Sequence, residues 1–472
     1  MHQYDRLYID GAWTAAHQEK YREVINPATE APAGIFIQGG VEDVDRAVQA
    51  ARRAFCSWSQ TSSDERARYI TAIAEAMHSR REELARLITT ELGMPLHLAL
   101  EVQVDGPIEG MRNYAAMAAH MDEEEVVDNA LIVKDPIGVC AFINPWNYPL
   151  HQLVGKVAPA LAAGCCMVVK PSEETPMHAF LLAEIMDQVG LPAGVFNLVT
   201  GPGVIVGEAL CKHPEVDMVS FTGSTGAGIR VAEMAAQSVK RVCQELGGKS
   251  AFIITPDADL EAAVIHGVQD VMINSGQTCT ALTRMLVPRS RYEEAIDIAK
   301  QVAESLPIGD PLAEDSFLGP MCSERQRNTV ITYIEKGIEE GATLVTGGVP
   351  TQGDFERGFY IRPTIFADVN NQMTIAREEI FGPVLCMIVY DTLDDAVAIA
   401  NDSPFGLSGG VWAASLTDGL ALARRLQTGQ VFINGGAFNY RAPFGGYKQS
   451  GNGREWGLSG LEEFIEKKAL MS

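Results

Sequence analysis

A chain of 472 residues, 47% hydrophobic and 21% charged, has a globular composition and is too long for one ordinary core, so about two or three domains are expected. A formal net charge of −24 argues against nucleic acid or an anionic membrane as partner. The nine cysteines (Cys56, Cys140, Cys165, Cys166, Cys211, Cys243, Cys279, Cys322, Cys386) contain no C-x-x-C pair, which points to reduced thiols, no metal and a cytoplasmic location. The N-terminal MHQYDRLYIDGAW lacks an apolar signal core, and the longest apolar run, Val157 to Val169, is broken by Pro159 and Gly164 and too short to span a bilayer.

In chain order, Val41 to Trp58 has helical periodicity, with Val44, Ala47, Val48, Ala51 and Phe55 on one face. Asp64 to Leu92 continues as a helix that stops at Gly93 before Pro95, and another spans Leu96 to Met121. The acidic run Asp122 to Glu125 then reads as a solvated loop or a turn into an edge hairpin. From Gly138 the texture becomes strand–helix alternation. Strands are expected at Gly138–Ile143, Cys166–Val169, Val195–Val199, Met218–Phe221 and Val239–Cys243, with helices at Leu150–Ala162, Met177–Val189, Val204–Cys211 and Ala227–Ala236. Such alternation predicts an α/β fold with a parallel, doubly wound, Rossmann-like sheet whose ligands lie at the strand C-termini. A second α/β region follows Glu245, with strands at Ala251–Ile254, Leu286–Val287, Val384–Val389 and Val431–Ile433.

Two glycine-rich segments compete as phosphate loops. LVTGPGVIVGEAL (Leu198–Leu210) has a spacing one residue off the dinucleotide fingerprint and carries Pro202 between its first glycines. FTGSTGAG (Phe221–Gly228) links a strand to a helix whose start offers Ser224, Thr225 and free N–H groups to a pyrophosphate. Either reads equally as a glycine-rich turn. In VVKPSEETP, Lys170 and Glu173 stand just past a buried strand, where an adenosine ribose is gripped. A carboxylate there accepts from a ribose 2′-hydroxyl and repels a 2′-phosphate, which favours NAD over NADP. Further on, ELGGKS and NSGQTC place a carboxylate, Glu245, and a thiol, Cys279, 34 positions apart. A thiolate is a strong nucleophile and a desolvated carboxylate a usable base, provided the fold brings them together.

The ordered set NPWNYP (Asn144–Pro149), KPSEETP, FTGSTGAG, ELGGKS, GQTC, EEIFGPV (Glu378–Val384) and PFGGYKQSGNGRE (Pro443–Glu455) closely resembles the aldehyde dehydrogenase superfamily, in particular its hydrolytic NAD(P)-dependent members. The resemblance implies a cofactor domain (1–118 and 137–246), a catalytic α/β domain (247–443), a small β oligomerisation arm with the C-terminal tail (119–136 and 444–472), and a homodimer or homotetramer. It implies Cys279 as nucleophile, Asn147 with the Cys279 N–H as oxyanion donors, Glu245 as hydrolytic base, and Lys156 and Glu455 as a proton relay. For NAD it implies Ile143, Pro145, Trp146, Lys170, Ser172, Glu173, Gly203, Phe221, Gly223, Ser224, Gly228, Leu246, Glu379 and Phe381. For the aldehyde it implies Tyr148, His151, Gln152, Gly155, Ile273, Thr278, Thr280, Phe438 and Phe444. Many relatives carry a bulky aromatic at the position of Gly155, so a widened passage is expected there, suited to a medium-sized apolar or aromatic aldehyde. Only Arg441 stands where it could clamp a second carboxylate. A semialdehyde substrate, coenzyme A as acyl acceptor, or a cofactor-independent thiol esterase are the rival readings; Glu245 argues for water, and the KPSE and EEIFGPV motifs would be idle in an esterase.

Overall fold

In the computed structural model, which describes residues 2–351 and 355–472, strand–helix alternation builds an eight-stranded sheet. Its parallel heart runs in the order Arg241–Glu245, Met218–Thr222, Val139–Ile143, Cys166–Lys170, Phe196–Leu198. The chain starts from the Val139–Ile143 strand, builds outward to one side, then returns to build the other, so strand order reverses beside that strand. All five residues of Val139–Ile143 are buried, as expected for a strand covered by helices on both faces. Antiparallel strands finish both edges: Leu7–Ile9 and Ala12–Thr14 on one side, Gly451–Asn452 on the other. Asp217 fastens the central pair at its base, its carboxylate accepting from the Val139 N–H at 2.7 Å and from Arg52 at 2.6 Å.

A seven-stranded sheet follows, ordered Thr343–Thr346, Thr364–Ala367, Val384–Tyr390, Arg284–Pro288, Ala251–Ile254, Ser408–Trp412, Gln430–Ile433, and parallel except at its first strand. Its side chains alternate between two cores: Phe252, Ile254, Met285 and Val287 enter one, Ile253, Leu286, Cys386 and Ile388 the other. A third sheet joins Glu125–Val127, Ala130–Pro136 and Ile465–Met471. The acidic run therefore does enter a hairpin. Within 444–472 only Ile465–Met471 belongs to this sheet; Tyr447–Lys448 pairs with Phe405–Gly406, and Gly451–Asn452 extends the first sheet. No helix among the described residues is long and apolar enough to cross a membrane.

Several boundaries differ from the periodicity reading. The helix expected over Asp64–Leu92 is two, Ser63–Ser79 and Arg81–Leu92, broken at Arg80, whose guanidinium is drawn to Glu83 and Glu184. The Leu96–Met121 stretch passes through a π-helical turn at Ala99–Asp105, and Val204–Cys211 begins as another at Gly203–Gly207. The strand expected from Val239 starts at Arg241, because Val239 adopts a left-handed turn (φ 53°) and is exposed. Cys243 is buried on that strand, with its thiol 3.1 Å from the Glu463 carboxylate.

Candidate active site

The strands Val139–Ile143, Met218–Thr222 and Arg241–Glu245 end at one cleft of about 240 Å³, lined by Trp146, Asn147, Gly223, Ser224, Glu245, Cys279, Glu379 and Phe381 among others. It lies where strand order reverses, the place this topology reserves for ligands. Asn147 arrives on the loop after the first of these strands, and Pro149 then opens the Pro149–Ala163 helix, a position that needs no N–H.

Cys279 arrives by a more constrained route. After the Leu260–Met272 helix, Asn274, Ser275 and Gly276 take left-handed backbone in succession (φ 53°, 54° and 74°). A residue with a Cβ disfavours that region by roughly 1–2 kcal/mol, so side-chain bonds must hold the turn. The Asn274 amide donates to the carbonyls of Asn147 at 2.9 Å and Gln277 at 3.2 Å, and the Ser275 hydroxyl to Gly319 at 2.7 Å. The Gln277 side chain donates to the Asn274 carbonyl at 2.9 Å and accepts from the Cys322 N–H at 2.8 Å. Gln103 reaches the Asn147 carbonyl at 3.2 Å, and the Asn147 Nδ2 donates to the Gln277 carbonyl at 3.0 Å. The Asn147 amide is thereby aimed at the loop that carries the thiol. A Cβ on Gly276 would stand 2.0 Å from the Gly382 carbonyl, which accounts for the glycine of GQTC.

The two glycines of ELGGKS have an equally steric reason. A Cβ on Gly248 would come within 2.4 Å of the Cys279 carbonyl, and one on Gly247 within 2.3 Å of the Glu379 carboxylate. Gly248 N–H also donates to Glu379 at 2.9 Å. Glu245, Cys279 and Glu379 thus converge because the backbone between them carries no side chain.

Their charges are arranged unusually. Glu245 is 5% exposed, and neither carboxylate oxygen has a hydrogen-bond partner among the described residues. Burial, and then the neighbouring Glu455 carboxylate, hold its pKa well above the usual carboxylate range. Glu455 is itself buried against Lys156, Nζ to Oε1 2.5 Å, and the same ammonium donates to the Thr222 hydroxyl at 2.7 Å. Thr222 faces Glu245 in the strand ladder. Burial raises the Cys279 thiol, with Glu379 and Glu245 adding to it, and burial brings Glu379 to about 7. A cleft whose thiol and carboxyls all resist ionisation suits a cationic occupant, which would lower each of them.

At the end of the Cys166–Lys170 strand, Lys170 and Glu173 form a pair at 3.1 Å, and the other Glu173 oxygen accepts from the Gly203 N–H at 2.9 Å. The two competing glycine segments are therefore placed differently. GPGVIVG braces Glu173, while FTGSTGAG supplies the Ser224-capped start of the Thr225–Ala235 helix, where a Cβ on Gly226 would meet nothing within 4 Å. Gly228 admits the Leu246 side chain, whose Cδ2 would be 2.6 Å from a Cβ there. Phe221 packs under Gly223, Ile143 lies beside Gly207, and Ser172 is buried next to Glu173. Pro145 lines the cleft, and Trp146 meets Phe381 edge-on at 5.3 Å. Gln326, Thr329 and Tyr333 also line it, and Gln326 donates to the Phe381 carbonyl at 2.9 Å. These three stand on the Glu324–Glu339 helix, outside every motif, and only tertiary packing reveals them.

On the other side of Cys279, the Tyr148 and Thr278 hydroxyls bond at 2.8 Å. His151 lies among Tyr148, Phe438, Tyr440 and Trp456, and Phe438 touches Phe444. Burial and then the Lys156 charge hold His151 down to about 3, so the imidazole is neutral. Gln152 is buried, and Ile273 and Thr280 are half-buried on the thiol loop. Two expectations change. The widened passage at Gly155 is absent, because the Trp456 indole fills it, with Cζ2 3.1 Å from the site of a Gly155 Cβ. Arg441 is exposed and donates from Nε to Asn113 at 3.0 Å.

The family model described as "Aldehyde dehydrogenase family" matches residues 13–470. Over its full length the chain is 51% identical to a 3-succinoylsemialdehyde-pyridine dehydrogenase of Pseudomonas sp, covering 99% of that protein. A mutant of aldehyde dehydrogenase C from Pseudomonas syringae, solved with NAD+ and octanal, superposes with a TM-score of 0.98 at 49% identity, covering 99% of this chain and 96% of that one. A betaine aldehyde dehydrogenase from Staphylococcus aureus, solved with NAD+, gives 0.97 at 38% identity, over 99% and 95%.

The unpartnered acid yields a pH test. Folding keeps the Glu245 proton above the pH, roughly 4.3, where an unfolded glutamate loses it. The stability this group contributes is thus fully present below that pH and is lost as pH rises through the folded-state pKa. Glu245→Gln removes the titration, so its melting temperature should gain on the wild type by roughly 2 °C between about pH 5 and about pH 8. Parallel melting curves at both pH values would contradict a buried, unpaired acid.

Proposed function

The chain belongs to the aldehyde dehydrogenase family, and from that premise we propose that it oxidises a medium-sized aldehyde with an apolar or aromatic tail, using NAD as oxidant and water as acyl acceptor. The supporting observation is the unpartnered Glu245 carboxylate in the same cleft as Cys279. The overall change is RCHO + NAD+ + H2O → RCOOH + NADH + H+. The Cys279 Sγ attacks the carbonyl carbon as the thiolate, and the carbonyl π bond breaks to give a tetrahedral thiohemiacetal oxyanion. Its oxyanion accepts hydrogen bonds from the Asn147 amide and the Cys279 N–H, donors fixed before the charge appears. Bound NAD supplies the acceptor for the aldehyde hydrogen and its electron pair, and a thioester remains on Cys279. Glu245 then takes a proton from water, which adds to the thioester, and the C–S bond breaks to release the acid and the Cys279 thiolate. Its raised pKa makes it a stronger base than an exposed carboxylate, and Lys156 with Glu455 carries the proton outward.

The residues present fit NAD. The Ser224-capped helix start would receive the pyrophosphate, Lys170 and Glu173 the adenosine ribose, and Glu379 the nicotinamide ribose. Trp146, Leu246 and Phe381 would wall the ring. Glu173, held at both oxygens, presents negative charge that a 2′-phosphate would meet. The neutral, aromatic surroundings of His151 favour an apolar tail, and relatives that carry octanal or act on a pyridine semialdehyde are compatible with that. The outer strand of the arm sheet, Glu125–Val127, exposes Val126 and Val127 along its unpaired edge; we place the contact of a homodimer or homotetramer there.

Cys279→Ala should abolish NADH formation across an aldehyde panel while calorimetry still detects NAD binding. Retained turnover would overturn the thiol mechanism. The wild type should use NAD at least roughly tenfold more efficiently than NADP, and Glu173→Gln should narrow that ratio. Equal efficiency with both in the wild type would remove Glu173 as the discriminator.

A further inference from the structure

The thiol loop leaves the Leu260–Met272 helix and enters the Arg284–Pro288 strand, and its two halves are held differently. Upstream of Cys279, bonds from the Asn147, Asn274 and Gln277 side chains fix it. Downstream, among the described residues, the backbone from Cys279 to Thr283 bonds to one side chain. The Leu282 N–H donates to Asp270 Oδ2 at 2.9 Å. Asp270 stands in the last turn of the helix, where the carbonyl ends of the backbone disfavour a negative charge. Burial disfavours it too and raises the carboxyl to about 6, with the Leu282 N–H opposing the shift. A carboxylate set against both preferences answers a demand from elsewhere in the fold. That demand is Leu282, whose side chain is buried in a core of the second sheet and whose N–H needs an acceptor.

The bond lies close to the chemistry. The Ala281 N–H donates to the Thr278 carbonyl at 3.2 Å, which closes a turn with Cys279 as its second residue. The C=O and N–H of a trans peptide point in opposite directions within one plane. A bond that fixes the Thr278 carbonyl therefore also fixes the Cys279 N–H, on the other edge of the same peptide. Leu282 is the residue immediately after this turn. The loop thus starts from the helix and is tied back to it, with Asp270 and Leu282 twelve positions apart and Cys279 between them.

Resting on the aldehyde-oxidising reading above, we propose that Asp270 is a positioning residue: its carboxylate, bonded to the Leu282 N–H, holds the downstream half of the thiol loop so that the Cys279 N–H stays aimed at the oxyanion. Asp270 acts through the backbone and touches no reacting atom. What it supplies is an acceptor at a fixed place, so an isosteric amide can stand in for it and a displaced carboxylate cannot.

The experiment compares the wild type with Asp270→Ala, Asp270→Glu and Asp270→Asn by stopped flow with NAD and octanal, by hydrogen exchange and by thermal melting. Asp270→Ala should slow first-turnover NADH formation by at least roughly tenfold, with NAD affinity and KM for octanal changed less than about twofold. Asp270→Asn, whose Oδ1 still accepts, should restore the rate to within about threefold of the wild type. Asp270→Glu, which keeps the charge but moves the oxygen, should not. The amides of the peptide spanning 273–283 should exchange at least roughly tenfold faster in Asp270→Ala and near the wild-type rate in Asp270→Asn. A folded Asp270→Ala enzyme with the wild-type first-turnover rate would overturn the positioning role; if that variant does not fold, the same result with Asp270→Glu would overturn it. An Asp270→Asn enzyme as slow as Asp270→Glu would overturn the hydrogen bond as the cause. A wild type inert toward every aldehyde would overturn the functional reading, whereas unchanged exchange in the variants would separately overturn the hold on the loop.

Discussion

The arrangement depends on how closely two stretches of backbone pass each other. Gly247 and Gly248 lie against the Cys279 carbonyl and the Glu379 carboxylate with no room for a methyl group. The thiol loop meets this approach because Asn274, Ser275 and Gly276 are held in left-handed backbone by side chains whose bonds converge on Asn147 and Gln277. Asn147 and the Cys279 loop, from separate parts of the sequence, are therefore positioned by one hydrogen-bonded unit, and Glu245 is brought beside them by the close approach at Gly247 and Gly248. Loosening any member would displace the others, and the rate of such chemistry is steep in distance.

The same approach explains the electrostatics. Burial in the cleft acts on Glu245, Cys279 and Glu379, and the cations that oppose it, Lys156 and Arg454 at Glu245 and Lys249 at Glu379, do not offset it; Lys156 is itself bound to Glu455 and Thr222. Each group therefore holds its proton more tightly than in water. That costs stability and favours reactivity, since a base of raised pKa is the stronger base once ionised.

Much of this was legible in the sequence because it is local. The parallel strands of the first sheet and four strands of the second appear as apolar runs, and Glu245 and Cys279 sit in motifs whose glycines have steric reasons. What was not legible is non-local. The helix breaks at Arg80 although its periodicity runs on, and the Arg80 guanidinium pairs with Glu184, far away in the sequence. Val239 belongs by propensity to a strand and by structure to a turn. Gly155 promised open space, but whether a gap on one helix stays empty depends on what another segment puts into it. Here that is Trp456, in a backbone conformation that propensity would not assign to tryptophan. Gln326, Thr329 and Tyr333 reach the cleft only through packing.

The proposed reaction requires Cys279 to carry the acyl group and Glu245 to release it. The most direct measurement is mass spectrometry of acid-quenched Glu245→Gln protein after mixing with NAD and octanal, followed by peptide mapping. The account predicts one octanoyl adduct per chain on the peptide that contains Cys279. Its absence, or an adduct on the peptide of Cys243 instead, would contradict it.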